Sequence, residues 1–171
     1  TENVYSFTSE INSMGMTPSS TILEFKVMDP PPDIVSMLEL ESNHTQIYRF
    51  SRIRNVNGEP LILETSFYPV YIYTKLTREL LETHSFYSLL YEQGIVPYSA
   101  VDSYEAVILG RREAELLGTR PGNSAFSVQR RTRTESGTVY EFTQSLIRAD
   151  RVTLDVYLHK DGVSFARNVD K

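Results

Sequence analysis

An internal repeat constrains this chain more than any other feature. At an offset of 79 residues Leu38 maps onto Leu117, Ile47 onto Phe126, Arg52 onto Arg131, Arg54 onto Arg133, Gly58 onto Gly137 and Ser66 onto Ser145. Each half reads strand, helix, loop, β-hairpin, which predicts a pseudo-twofold domain. Such a repeat can place a cavity between its halves; it can equally be an economical way to build one sheet. The length, 171 residues, suits a single domain. With 40% hydrophobic and 23% charged residues, the composition is that of an ordinary globular protein and excludes a collagen or a wholly disordered chain.

The local pattern fills in the halves. Apolar residues at helical spacing (Val4, Phe7, Ile11, Met14) predict a short helix opened at Thr8-Ser9-Glu10 and stopped at Gly15. Strands are expected over 21–28, 46–55, 60–67, 98–109, 125–134, 138–148 and 152–159, and short helices over 33–40, 75–82, 85–92 and 111–117. Asn57-Gly58 is a strong hairpin signal, and Ser136-Gly137 marks the second hairpin. From Lys160 the tail reads as polar. Strands and short helices in mixed order predict an α+β domain on an antiparallel six-stranded sheet.

Several chemistries are excluded. The chain has no cysteine, so thiol catalysis and disulfides are absent. With three scattered histidines there is no metal-ligand motif, and no cofactor is expected. Neither a nucleophile elbow nor a phosphate-binding glycine loop occurs. No apolar run approaches the roughly 20 residues of a membrane span, and no signal peptide is visible. A net charge of −5 argues against this chain alone gripping a phosphate backbone. Asn43-His44-Thr45 fits the glycosylation pattern but carries no weight without a secretion signal.

Four constellations could carry chemistry. Arg52 and Arg54 are two apart on a strand and so share a face. Side by side they repel unless something anionic lies between them: either a phosphate or carboxylate ligand, or a cross-strand partner such as Glu59 or Glu64. Arg131 and Arg133, beside Arg130, read as a solvated sheet face with salt bridges. Ser85 can cap a helix, and a helix start also favours an anion. Glu64 and Glu141, on the returning strands of the two hairpins, could serve as acid and base, hydrogen-bond sugar hydroxyls, or simply pair with arginines.

Taken in order, Ser6-Phe7-Thr8 with Gly15-Met16-x-Pro18, Arg52-x-Arg54, Gly58-x-Pro60, Glu64, Tyr68-Pro69, Ser85-x-Tyr87, Leu117-Gly118 with Gly122, Arg130, Gly137 with Glu141, and Arg148-x-Asp150-Arg151 resemble the effector-binding (UTRA) domain of GntR-type bacterial transcription regulators of the HutC subfamily. The resemblance covers nearly the whole chain and is greatest to amino-sugar-phosphate sensors. It implies a chorismate-lyase-like fold over residues 1–171, with 1–20 leading in from an absent winged helix-turn-helix domain. It implies a cytoplasmic homodimer that meets operator DNA only through that domain, with Val156 and Leu158 as candidate interface positions. Its effector would be a phosphorylated sugar such as glucosamine-6-phosphate or N-acetylglucosamine-6-phosphate. Carried over, Arg52, Arg54, Ser85 and Tyr87 would hold the phosphate, and Phe7, Thr8, Glu64 and Glu141 would line the sugar end. Ile147 stands where the amino-sugar sensors carry a Tyr. The alternative is an enzyme of the same fold, a lyase acting on a small carboxylated metabolite.

Overall fold

The computed structural model describes residues 6–43 and 45–170; Val4 and His44 lie outside the described residues. A six-stranded antiparallel sheet runs in the order β1(Pro18–Met28), β2(Ile47–Val56), β3(Glu59–Pro69), β6(Val139–Arg148), β5(Ser124–Arg133), β4(Ser99–Ile108). That order is palindromic: β1-β2-β3 in one half meets β6-β5-β4 in the other, as the repeat predicts. The offset of 79 carries Thr65 onto Gln144, and these two are register partners on the central strands, so the pseudo-twofold axis passes between them. Asn57 and Gly58 both take positive φ, 51° and 80°, the requirement of the tight first turn.

The covers of the sheet repeat as well. Helix α1(Phe7–Ser13) and helix α4(Phe86–Glu92) are 79 residues apart, each preceded by a serine N-cap, Ser6 and Ser85. Ser6, Phe7, Ser9, Gly15 and Pro18 recur as Ser85, Phe86, Ser88, Gly94 and Pro97. Helix α1 thus starts one turn-position earlier than Thr8, because the Ser6 side chain accepts the Ser9 amide. The remaining helices, α2(Pro32–Met37), α3(Arg78–Thr83) and α5(Arg111–Leu116), are short. Among the described residues no helix is long and apolar enough to cross a membrane.

The chain's end holds more structure than a last strand and a polar tail. The strand β7(Val152–His159) stands outside the main sheet, and the tail supplies a further strand: β8(Gly162–Val169) pairs with β7 in a separate hairpin. Its apolar residues stay largely in the open, Leu158 at 79% and Phe165 at 66% exposure, so no core face disciplined the pattern. At its base Val152 and Val169 pack with Ile11, Met16 and Ile147, which fastens the hairpin beside α1.

Candidate functional site

The registers lay out one face of the sheet as a grid. Arg54 is opposite Ile62, and Ile62 opposite Ile147; Arg52 is opposite Glu64, and Glu64 opposite Ser145. On the far side Ser66 faces Thr143, Thr143 faces Arg130, and Arg130 faces Asp102. These side chains other than Ser66, with Phe7 of α1, Tyr87 of α4 and Arg167 of β8, line a cavity on that face.

The cavity gathers several charged side chains among apolar ones, which is expensive unless each charge is answered. Arg52 is 2% exposed and donates from Nε and Nη2 to Glu64 Oε1 at 3.0 and 2.9 Å. Arg54 is 7% exposed, stacks on Phe7 at 5.0 Å and donates to Ser20 Oγ at 3.0 Å. Its Nε stands 3.7 Å from the same Glu64 oxygen and makes no hydrogen bond among the described residues. Two guanidiniums therefore share one carboxylate. Burial would raise the Glu64 carboxyl, but Arg52 and Arg54 outweigh it and hold it down at about 2. Burial and the neighbouring charge of Arg52 lower Arg54 to about 10.

At the opposite end Glu141, 1% exposed, is answered by hydroxyls rather than by an arginine. Tyr87 donates to it at 2.8 Å and Thr132 at 2.5 Å, and Tyr68 donates to its other oxygen. Burial, then the Glu141 charge, pushes both tyrosines up, so they remain donors. Arg130 is held by Asp102 through two bonds of 2.7 Å. Burial opposes its charge, yet Asp102 more than compensates and raises it.

Of the eight residues named from sequence, six come together here: Phe7, Arg52, Arg54, Glu64, Tyr87 and Glu141. Thr8 and Ser85 do not line the cavity; Ser85 caps α4 without a side-chain bond to it. Arg131 and Arg133 lie on the other face, both paired with Glu39, half in solvent as a surface pair.

Residues 13–153 match the family model of the UTRA domain. The chain belongs to the UTRA domain family. It is 28% identical over 163 residues to the HTH-type transcriptional repressor NagR of Bacillus subtilis (strain 168), covering 93% of this chain and 65% of that protein. Against the repressor PhnF of Mycolicibacterium smegmatis the identity is 22% over 154 residues, covering 90% and 63%. The chain thus spans about two thirds of the length of these relatives. Among solved structures, the effector domain of PhnF from Mycobacterium smegmatis superposes with a TM-score of 0.79 at 23% identity, covering 90% of this chain and 94% of that one. The possible transcriptional regulator YydK from Bacillus subtilis gives 0.74 at 24% identity, covering 79% and 60%.

In this UTRA domain the repeat hides a slip. An offset of 79 pairs Arg52 with Arg131, but Glu64 maps onto Thr143, whose register partner is Arg130. From Arg130 to Thr143 the second hairpin is one residue longer than the first is from Arg52 to Glu64. A slip of one residue turns every side chain of a strand to the other face. Arg130, not Arg131, is therefore the spatial mate of Arg52 and points into the cavity. Arg130, Asp102 and Arg167 were missed as site residues. Arg130 stands in the motif set, but its inward facing is written only in the extra residue of the second turn; Arg167 lies 157 positions from its partner Glu10, and nothing local announces it.

Proposed function

We propose that this UTRA domain is the effector-sensing and dimerising part of a GntR-type transcription regulator of the HutC subfamily, without catalytic activity of its own. A preceding winged helix-turn-helix segment would hold operator DNA, and the effector is a phosphorylated sugar such as glucosamine-6-phosphate or N-acetylglucosamine-6-phosphate. One observation carries the reading: Arg52 and Arg54 lie buried side by side with a single carboxylate between them, and among the described residues the Arg54 Nε has no hydrogen-bond partner. A phosphate supplies the missing negative charge and several acceptors. The resemblance to amino-sugar-phosphate sensors supports the sugar, and the 28% identity to the repressor NagR supports the regulator. At the other end of the cavity, Glu141 with its three hydroxyl donors suits a polyhydroxylated body, because hydroxyls both donate and accept.

As the side chains stand the cavity has about 50 Å³ of space. A sugar phosphate therefore enters with movement of the covers, α1 and α4. The exposed faces of β4 and of the β7–β8 hairpin, where Val156 is 49% and Leu158 79% exposed, support a homodimer through these elements. Thermal-shift titration with hexose-6-phosphates and their unphosphorylated sugars tests the effector. Ligand at 100 times its Kd stabilises by about 2.7 kcal/mol; a shift with the sugar and none with its phosphate ester contradicts the proposal.

A further inference from the structure

The two covers of the cavity are repeat mates, yet they are fastened by different chemistry. In α4, Phe86, Leu89 and Leu90 are all buried in one apolar cluster with Phe50, Tyr68 and Leu81, and Phe86 meets the Tyr68 ring edge-on at 4.6 Å. The offset of 79 carries these three onto Phe7, Glu10 and Ile11 of α1. Ile11 keeps an apolar anchor beside Met16 and Val152. Phe7 packs in the same cluster, but its ring also lies on Arg54 at 5.0 Å and lines the cavity. Glu10 stands where α4 has Leu89, and it accepts two hydrogen bonds from Arg167 of β8, the one from Nε at 3.0 Å. Glu10 and Arg167 both lie outside residues 13–153, the stretch that matches the family model. Phe7 and Glu10 are three apart and share one side of the first turn. Two arginines that line the cavity, Arg54 and Arg167, thus hold this turn down. The Arg167 and Glu10 side chains are 22% and 23% exposed and border a groove of about 370 Å³ outside the cavity. Water therefore reaches both charges as they part, which keeps their separation inexpensive. Lifting α4 takes three apolar side chains out of the core, and water repays none of that loss.

We infer that Glu10 and Arg167 are positioning residues of the cavity: their ion pair is a clasp that holds the first turn of α1, with Phe7, closed over it, and α4 is the steadier of the two covers. The inference rests on the reading of the cavity as an effector site and divides the movement of the covers unequally. When the clasp opens, Ile11 stays in the core as the hinge and Phe7 lifts from Arg54. An arriving anion then meets a guanidinium freed of its aromatic cover. When the clasp closes again, Phe7 shuts the ligand in.

The test is amide hydrogen exchange by NMR on the whole chain without ligand, comparing Ile11 with its repeat mate Leu90 in the wild type, Glu10→Ala, Arg167→Ala and the double variant. Either single substitution is expected to speed exchange at Ile11 about tenfold and to leave Leu90 within about twofold, and the double variant to add no more than about twofold. Alanine is the better helix former, so a purely local effect of E10A on helix stability runs the other way. Unchanged exchange at Ile11, equal acceleration at Leu90, or additive effects in the double variant overturns the clasp. Stopped-flow mixing of the wild type and E10A with N-acetylglucosamine-6-phosphate then reads the gate. Association and dissociation are both expected to quicken about fivefold in E10A, with Kd held within about threefold. An unchanged association rate overturns the clasp as the gate of this site. Failure of the sugar phosphate to bind the folded wild type, with the exchange pattern as expected, overturns the sugar-phosphate reading and leaves the clasp standing.

Discussion

The two halves of the domain use one plan and reach opposite surfaces. In the first half β2 is buried along most of its length, and its arginines, Arg52 and Arg54, turn into the cavity. In the second half β5 is more open, and the arginines at the repeat positions, Arg131 and Arg133, meet Glu39 in solvent. One additional residue in the second hairpin separates these outcomes. The repeat supplies a symmetric frame, and a register slip with a few differing residues makes the frame chemically directional. The α1 end holds an underpaired guanidinium and two isoleucines; the α4 end holds a carboxylate wrapped in hydroxyls. A cavity with unlike ends can orient a ligand with unlike ends.

The contrast breaks most visibly at Arg52. Arg52→Ala leaves Glu64 buried beside a partner at 3.7 Å, and should cost about 3–5 kcal/mol of stability, as loss of one member of a buried pair does. Arg131→Ala, its counterpart by sequence offset, should cost under about 1 kcal/mol. Urea unfolding of the two variants measures the difference, and equal costs would remove the slip from the account.

The same pair predicts a pH dependence confined to one half. The Glu64 carboxyl is depressed in the folded state from 4.5 to about 2. Its contribution is full above about pH 4.5 and disappears as the pH falls through about 2. Glu64→Gln should therefore show a flatter stability profile across that window than the wild type, by denaturation at stepped pH. A profile as steep as that of the wild type would mean that other carboxylates carry the acid sensitivity.

Much of this architecture was legible because the physics behind it is local. Strand-forming runs between turn signals marked every strand of the main sheet, and Asn57-Gly58 marked the tight turn. The β8 strand was illegible because both faces of its hairpin are largely exposed, so selection for a core never wrote a pattern into it. Arg52, Arg54 and Glu64 could be read as a group since they sit on adjacent arms of one hairpin. Whether Glu64 served the arginines or a ligand could not be read, and the geometry gives it to Arg52. Arg130 was misjudged for a different reason: facing depends on register, and register depends on a turn whose length the matching glycines concealed.

Smaller effects sharpen the comparison of the two ends. Thr132 is the spatial mate of Arg54 and donates to Glu141 in a fully buried position. Thr132→Val should cost about 1–3 kcal/mol through the lost donor, measurable by thermal denaturation; a neutral result would show that Tyr68 and Tyr87 suffice for Glu141. Smallest are the two N-caps. Ser6→Ala loses a long cap bond of 3.4 Å and should cost about 0.5 kcal/mol. Ser85→Ala loses none and should cost less, so a larger loss at Ser85 in the same unfolding series would reverse the ranking.

The central claim is that the first hairpin's inward arginines, and not their repeat counterparts, hold the anionic effector. Isothermal titration of Arg54→Ala and Arg133→Ala with N-acetylglucosamine-6-phosphate tests it most directly. Loss of one partner of a buried charged contact costs about 2–5 kcal/mol, so R54A should bind at least about thirtyfold more weakly than the wild type. R133A should stay within about fivefold, as a surface pair allows. Weak binding by R133A with near-normal binding by R54A would contradict the account.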